Sequence, residues 1–192
     1  NDQPVETDIL VGGAVTEEQL MRSPRLSAVI VPFAGIPFPT QELLRRHPQI
    51  ALHNLHFNDQ STGEMALALM MAAAKHVPQL DRRLRTGDWR WDDAANPTDT
   101  FLDKTALILG YGAIGRRVAP VCRALGMDVI GVRRHEPDAP QEDAVAVYST
   151  AHLHKLLPRA DVLICLLPHT PETEGLLGAE ELALLPDHCI LV

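Results

Sequence analysis

The sequence is short of several features that would fix a function class at once. Basic residues are outnumbered, 17 Lys and Arg against 25 Asp and Glu, and the net charge of -8 argues against a nucleic-acid partner. No apolar run reaches the ~20 residues of a membrane-spanning helix. The opening Asn1-Asp2-Gln3-Pro4 is polar, unlike a secretory signal. Cysteine is scarce: Cys122, Cys165 and Cys189 form an odd, unspaced set. Such a set excludes a disulfide framework and reads as buried free thiols, which points to the cytoplasm. Neither His53 with His56 nor His152 with His154 has a Cys or carboxylate at zinc-ligand spacing, so no metal site is expected. No serine sits in G-x-S-x-G and no internal repeat is visible, so nucleophilic hydrolysis has no support.

What is present is a chain of 192 residues, 46% apolar, enough for one domain or two small ones with a buried core. The first third alternates short apolar runs with helical patches. Strands are predicted at 8–11, 27–31 and 50–53, with helices at 17–21 and about 41–46 and a loop rich in proline and glycine at 32–39. Strand–helix–strand alternation implies parallel pairing. From Gly63 to about Leu84 nearly every residue is a strong helix former, and the first half has no polar face. This predicts one long helix, kinked at Pro78, buried between two domains. Its basic end (Arg82, Arg83, Arg85) stops at Gly87, and 88–100 reads as a connector. Beyond it the α/β rhythm is regular: strands at 106–109, 127–132, 161–167 and 189–192, and helices at 114–125, near 152–157 and at 179–185.

The most informative run is Thr105 to Gly115, where an apolar strand enters G-x-G-x-x-G and a helix follows. This is the layout of a dinucleotide-binding turn. Gly110 permits a sharp turn, Gly112 lets backbone approach a pyrophosphate, and Gly115 brings helix close to strand. Tyr111, Ala113 and Ile114 complete the turn, whose helix N-terminus would face the phosphates. About 20 residues on, an acid would hold a ribose 2′-hydroxyl. The chain instead reads Arg133-Arg134, which suits a 2′-phosphate, so the expected cofactor is NADP, with NAD possible. Glu136 and Asp138 stand near enough in sequence to pair with these arginines.

Several further segments resemble one family, the D-isomer-specific 2-hydroxyacid dehydrogenases of glyoxylate/hydroxypyruvate reductase type. They are Ala34-Gly35-Ile36, His53 to Asn58, Thr62 to Leu69, Leu84 to Trp89, and Leu167-Pro168-His169-Thr170-Pro171-Glu172-Thr173. The resemblance covers nearly the whole chain and implies two doubly wound, Rossmann-like parallel-sheet domains, both incomplete at the chain ends. Residues 1–58 would be a partial substrate domain, 59–100 the interdomain helix and connector, and 101–192 a partial NAD(P)-binding domain. It implies hydride transfer between NAD(P)H and a small 2-keto or 2-hydroxy acid in a homodimer. Leu167, Pro168 and Thr173 would join the cofactor site, and Gly35 and Ile36 would meet the substrate carboxylate. The family's catalytic arginine, acid and histidine would follow Val192, so this chain would be an internal piece, inactive by itself. Two readings stay open beside this one: a dinucleotide-binding regulator with a protein partner, and a catalytically inactive fragment.

Overall fold

The computed structural model describes residues 7–33, 35–55, 57–90, 100–135 and 145–192. Ala34, His56, Glu136, Asp138 and most of the expected connector (91–99) therefore lie outside the described residues. The rest divides into two units, one up to Asn58 together with His169–Pro171, the other Asp59–Pro168 together with Glu172–Val192.

The first unit holds β1 (Ile9–Val11), α1 (Glu17–Met21), β2 (Ala28–Val31), α2 (Phe38–Arg45) and β3 (Ala51–Asn54). Its strands form a parallel sheet in the order β1-β2-β3. Thr16 and Gln19 close α1 with a reciprocal capping box, each side chain accepting the other residue's N–H. Helix α2 begins three residues before the predicted start. Its prolines fall at the N-cap and in the first turn, where the missing N–H has no intrahelical acceptor to lose. Val29, Leu20, Leu26, Leu43, Leu44 and Ile50 make the core. The hydroxyl of the buried Thr40 donates to Gly13 O and accepts from Val15 N–H, tying α2 to the loop after β1.

The second unit opens with α3 (Asp59–Ala74) and α4 (Val77–Arg85), two helices where one kinked helix was predicted. The break precedes Pro78: His76 adopts a left-handed conformation (φ 51°, ψ 31°) and forms the N-cap of α4. Gly63, Ala66, Met70 and Ala74 are buried, but Met65 is 59% exposed and Leu69 53%. Met70 lies in the unit's core with Ala106 and Ile108, and Met71 packs against that core partly buried. Then follow β4 (Thr105–Leu109), α5 (Ala113–Ala124), β5 (Asp128–Arg133), β6 (Ala146–Ser149), α6 (Leu153–Leu156), β7 (Val162–Cys165), α7 (Ala179–Ala183) and β8 (Ile190–Leu191). All pairings are parallel, in the order β6-β5-β4-β7-β8. Chain direction across the sheet thus reverses between β4 and β7. Such a switch point opens a crevice at the carboxyl ends of the strands.

Strand β6 has no counterpart in the sequence reading. It is a four-residue edge strand with no fully buried position, so it lacks the apolar run that marks β4. Helix α3 packs on α5, where Gly63 brings its backbone near Val118 and Asp59 pairs with Arg117. Of the thiols, Cys122 is buried in the core and burial pushes it up to about 11, Cys189 is half-buried, and Cys165 is exposed. The expectation of three buried thiols fails at Cys165, the last residue of β7, and holds only in part at Cys189. Among the described residues no helix is long and apolar enough to cross a membrane.

Candidate dinucleotide-binding cleft

The glycine run sits at the switch point. The N–H groups of Gly110 and Tyr111 both donate to Val132 O, at 2.9 and 2.8 Å, and Gly112 N–H donates to Gly110 O at 2.8 Å. These bonds fold the chain tightly off the end of β4 and onto β5. Gly110 has φ +98°, and a Cβ there would stand 2.8 Å from the carbonyl carbon of Leu166. Only glycine fits that combination. At Gly112 the situation is reversed: an added Cβ would meet nothing within 4 Å. Gly115 lies beneath the turn, where a Cβ would come 3.1 Å from Ile108 Cγ2, so it sets the approach of α5 to β4.

Helix α5 starts at Ala113 with no side-chain cap, and its first backbone bond runs from Arg116 N–H to Gly112 O. The N–H groups of Ala113, Ile114 and Gly115 therefore have no intrahelical acceptor, and the positive end of the helix dipole is added to them. The space in front of the turn is a cleft of about 910 Å³.

The cleft has two dissimilar sides. On the β5–β6 side stand Arg133, Arg134 and Thr150, with Arg116 from α5. On the β7 side stand Leu166, Leu167, Pro168, Glu172, Thr173 and Leu176. Thr173 Oγ1 donates to Pro168 O at 2.6 Å and so closes the turn that follows β7. The lining is three arginines against one glutamate in a chain of net charge -8, a local field that favours an anion.

Of the expected cofactor residues, Gly110, Tyr111, Gly112, Ala113, Arg133, Arg134, Leu167, Pro168 and Thr173 line this cleft together. Ile114 and Gly115 do not; they sit under it, half-buried and buried, and support the turn. Gly35 and Ile36 belong to the other unit, in the loop between β2 and α2. Gly35 is exposed there, and Ile36 O accepts a 2.8 Å hydrogen bond from Gln41. The sequence reading missed Arg116, Thr150, Leu166, Glu172 and Leu176. It also missed Gly131 of β5, where a Cβ would lie 2.6 Å from Tyr111 Cγ. A glycine inside a strand marks a close approach of this kind, and that signal was available. No group of His, Cys, Asp or Glu suited to a metal ion occurs among the described residues.

Residues 67–192 match the family model described as D-isomer specific 2-hydroxyacid dehydrogenase, NAD binding domain. The chain is 32% identical over 187 residues to a glyoxylate/hydroxypyruvate reductase B of Pectobacterium carotovorum, covering 94% of this chain and 57% of that one. It is 28% identical over 192 residues to a D-3-phosphoglycerate dehydrogenase of Methanocaldococcus jannaschii, covering 97% of this chain and 36% of that one. The chain thus spans between about a third and three fifths of the length of these relatives. Among solved structures, a D-isomer specific 2-hydroxyacid dehydrogenase from Xanthobacter autotrophicus in complex with NADPH and MES superposes with a TM-score of 0.77. It is 26% identical, over 100% of this chain and 59% of that one. With this fold, this cleft and the family model matching well over half its length, the chain belongs to the D-isomer specific 2-hydroxyacid dehydrogenase family.

Proposed function

We propose that this chain carries the dinucleotide-binding part and a portion of the substrate part of an oxidoreductase. The reaction transfers hydride between NAD(P)H and a small 2-keto or 2-hydroxy acid, with glyoxylate and hydroxypyruvate the favoured substrates. The observation that carries this reading is the open space at Gly112 facing an uncapped helix N-terminus at the sheet's switch point. A pyrophosphate needs that room and those N–H donors. Residues 1–58 serve as the substrate domain, 59–100 as the hinge and 101–192 as the cofactor domain. The relatives named for glyoxylate, hydroxypyruvate and phosphoglycerate differ in their acid but share its 2-hydroxy or 2-keto group.

The preferred cofactor is NADP, with NAD as the lesser alternative. Arg133 and Arg134 stand where an acid would grip an unphosphorylated ribose, and the Xanthobacter relative was solved with NADPH. When bound, the dinucleotide supplies or accepts the hydride. Gly110 and Gly112 shape its seat, Ala113 to Gly115 donate N–H groups to its phosphates, and Leu167, Pro168 and Thr173 bound the other end. Backbone N–H groups near Gly35 and Ile36 meet the substrate carboxylate, in a loop anchored by the Gln41 bond to Ile36 O. The working form is a cytoplasmic homodimer.

Titration of the chain with NADPH and with NADH, followed by nicotinamide fluorescence, tests the cofactor reading. Saturable binding with NADPH tighter is expected. Absence of saturable binding by either would overturn it.

A further inference from the structure

We propose that Glu181 is a positioning residue for the dinucleotide: its carboxylate ties the β7-side wall of the cleft to α6, and so sets the spacing of the two lips at Leu176 and Thr150. The proposal rests on the dinucleotide reading above and deepens it.

The two sides of the cleft are held unevenly. On the β5–β6 side, Thr150 opens a turn that runs directly into α6, where Leu153, Leu156 and Leu157 sink into the core at 2%, 5% and 0% exposure. That lip stands on a packed helix. On the β7 side no residue from Cys165 to Val192 is buried, α7 included, and Leu176 and Leu177 pack on the same core only in part. Apolar contact therefore holds this wall loosely, and polar bonds decide where Leu176 stands.

Glu181 supplies such bonds with both of its oxygens. Oε2 accepts Gly178 N–H at 2.9 Å, which folds the chain back on itself just past Leu176. Oε1 accepts from His154 Nε2 of α6 at 2.8 Å, a contact spanning 27 residues of sequence. Either the imidazolium or the neutral ring protonated at Nε2 donates that bond. His154 follows Thr150 by about one helical turn. One carboxylate thus reaches close to both lips. The Gly178 N–H, its own backbone N–H and His154 hold the Glu181 carboxyl below its ordinary value, so it is ionised at neutral pH. The His154 side chain is 55% exposed, so the pair adds little to global stability; its effect is on where the wall stands. A wall ordered before the ligand arrives removes an ordering cost at binding. Arg133 and Arg134 stand on the opposite side of the cleft, so the tie acts alike on NADPH and NADH.

The test is isothermal titration of NADPH and NADH into the wild-type chain, Glu181→Ala, Glu181→Gln, His154→Ala and the double alanine variant, with thermal unfolding of each. Glu181→Ala lowers affinity for both cofactors about 3- to 10-fold, the cost of ordering one or two wall side chains on binding. His154→Ala lowers it about two- to fivefold by the same argument. The double variant loses no more than Glu181→Ala alone, because the two residues act through one contact. Glu181→Gln keeps both bonds and holds affinity within about twofold. Unfolding midpoints of Glu181→Gln and His154→Ala stay within about 2 °C of wild type, so a loss of affinity is not a loss of fold. Undiminished affinity in Glu181→Ala would overturn the proposal. So would additive losses in the double variant, or a loss in Glu181→Gln as large as in Glu181→Ala. Should Glu181→Ala not fold, His154→Ala carries the test, and unchanged affinity there would overturn the proposal equally. A wild-type chain that binds neither cofactor would remove the dinucleotide reading beneath it, an outcome visible before any variant is made.

Discussion

A Cβ on Gly110 would press on the backbone of Leu166 in a chain segment already at φ +98°, whereas one on Gly112 would meet nothing. The two glycines of one motif therefore predict different losses. Gly110→Ala should destabilise the second unit by about 2 kcal/mol or more, from backbone strain and overlap together. Urea denaturation measures it, and an unchanged midpoint would refute the geometry. Gly112 variants should fold normally and fail only in binding. At the other end of the cleft, Arg133→Asp should weaken NADPH about 10- to 100-fold and tighten NADH, since a carboxylate repels a 2′-phosphate and accepts the ribose hydroxyls. An unchanged ratio of the two dissociation constants would take Arg133 out of the site. These residues were legible in the sequence because motif spacing and charge reveal them directly. Arg116 was not, because no motif position names it and only the folded cleft brings it in among the lining residues.

Elements with a strong local signature were read with little error: α1 falls where its capping box puts it, and β4 where its apolar run lies. Failures came where tertiary context decides. The predicted continuous helix from 63 to 84 divides at His76, a non-glycine residue in left-handed conformation, which costs roughly 1 kcal/mol. His76→Gly should therefore raise the thermal midpoint by about 2–4 °C. A fall would mean that the imidazole's packing outweighs its strain. At the amino end of the sheet, Asp161 on the segment entering β7 accepts Thr105 N–H at 2.8 Å, Lys104 Nζ at 3.2 Å and His188 Nε2 at 2.8 Å. Partial burial opposes ionisation, but the Thr105, His188 and Lys104 contacts win and hold the carboxyl below its ordinary value. Its folded pKa is lower than its unfolded one, so the stability it contributes is full at neutral pH. That stability is lost as pH falls below the usual carboxylate range, through the folded pKa. Asp161→Asn should cost about 1–3 kcal/mol at pH 7 and progressively less at pH 4 and below. Denaturation curves at both pH values check it, and a pH-independent difference would contradict the assignment.

At the scale of the whole chain, the α/β class, the parallel sheets and the family were legible because the strand–turn–helix order is written in local apolar runs and glycine spacing. The second sheet's full width was not, since β6 is a half-buried edge strand that leaves no periodic signal. The exposed Met65 and Leu69 mark a further limit: an all-apolar helix predicts burial but does not name the surface that supplies it. The cleft itself is a property of topology, created where the order β5-β4-β7 reverses the direction of winding. The central claim is that a nicotinamide dinucleotide occupies that cleft with its pyrophosphate at Gly112. The most direct measurement is calorimetric titration of NADPH into the wild-type chain and into Gly112→Val, with thermal unfolding of both as the control. The account predicts saturable binding at one site per chain for wild type, none for the variant, and the same unfolding midpoint for the two. Undiminished binding by a normally folded Gly112→Val would contradict it.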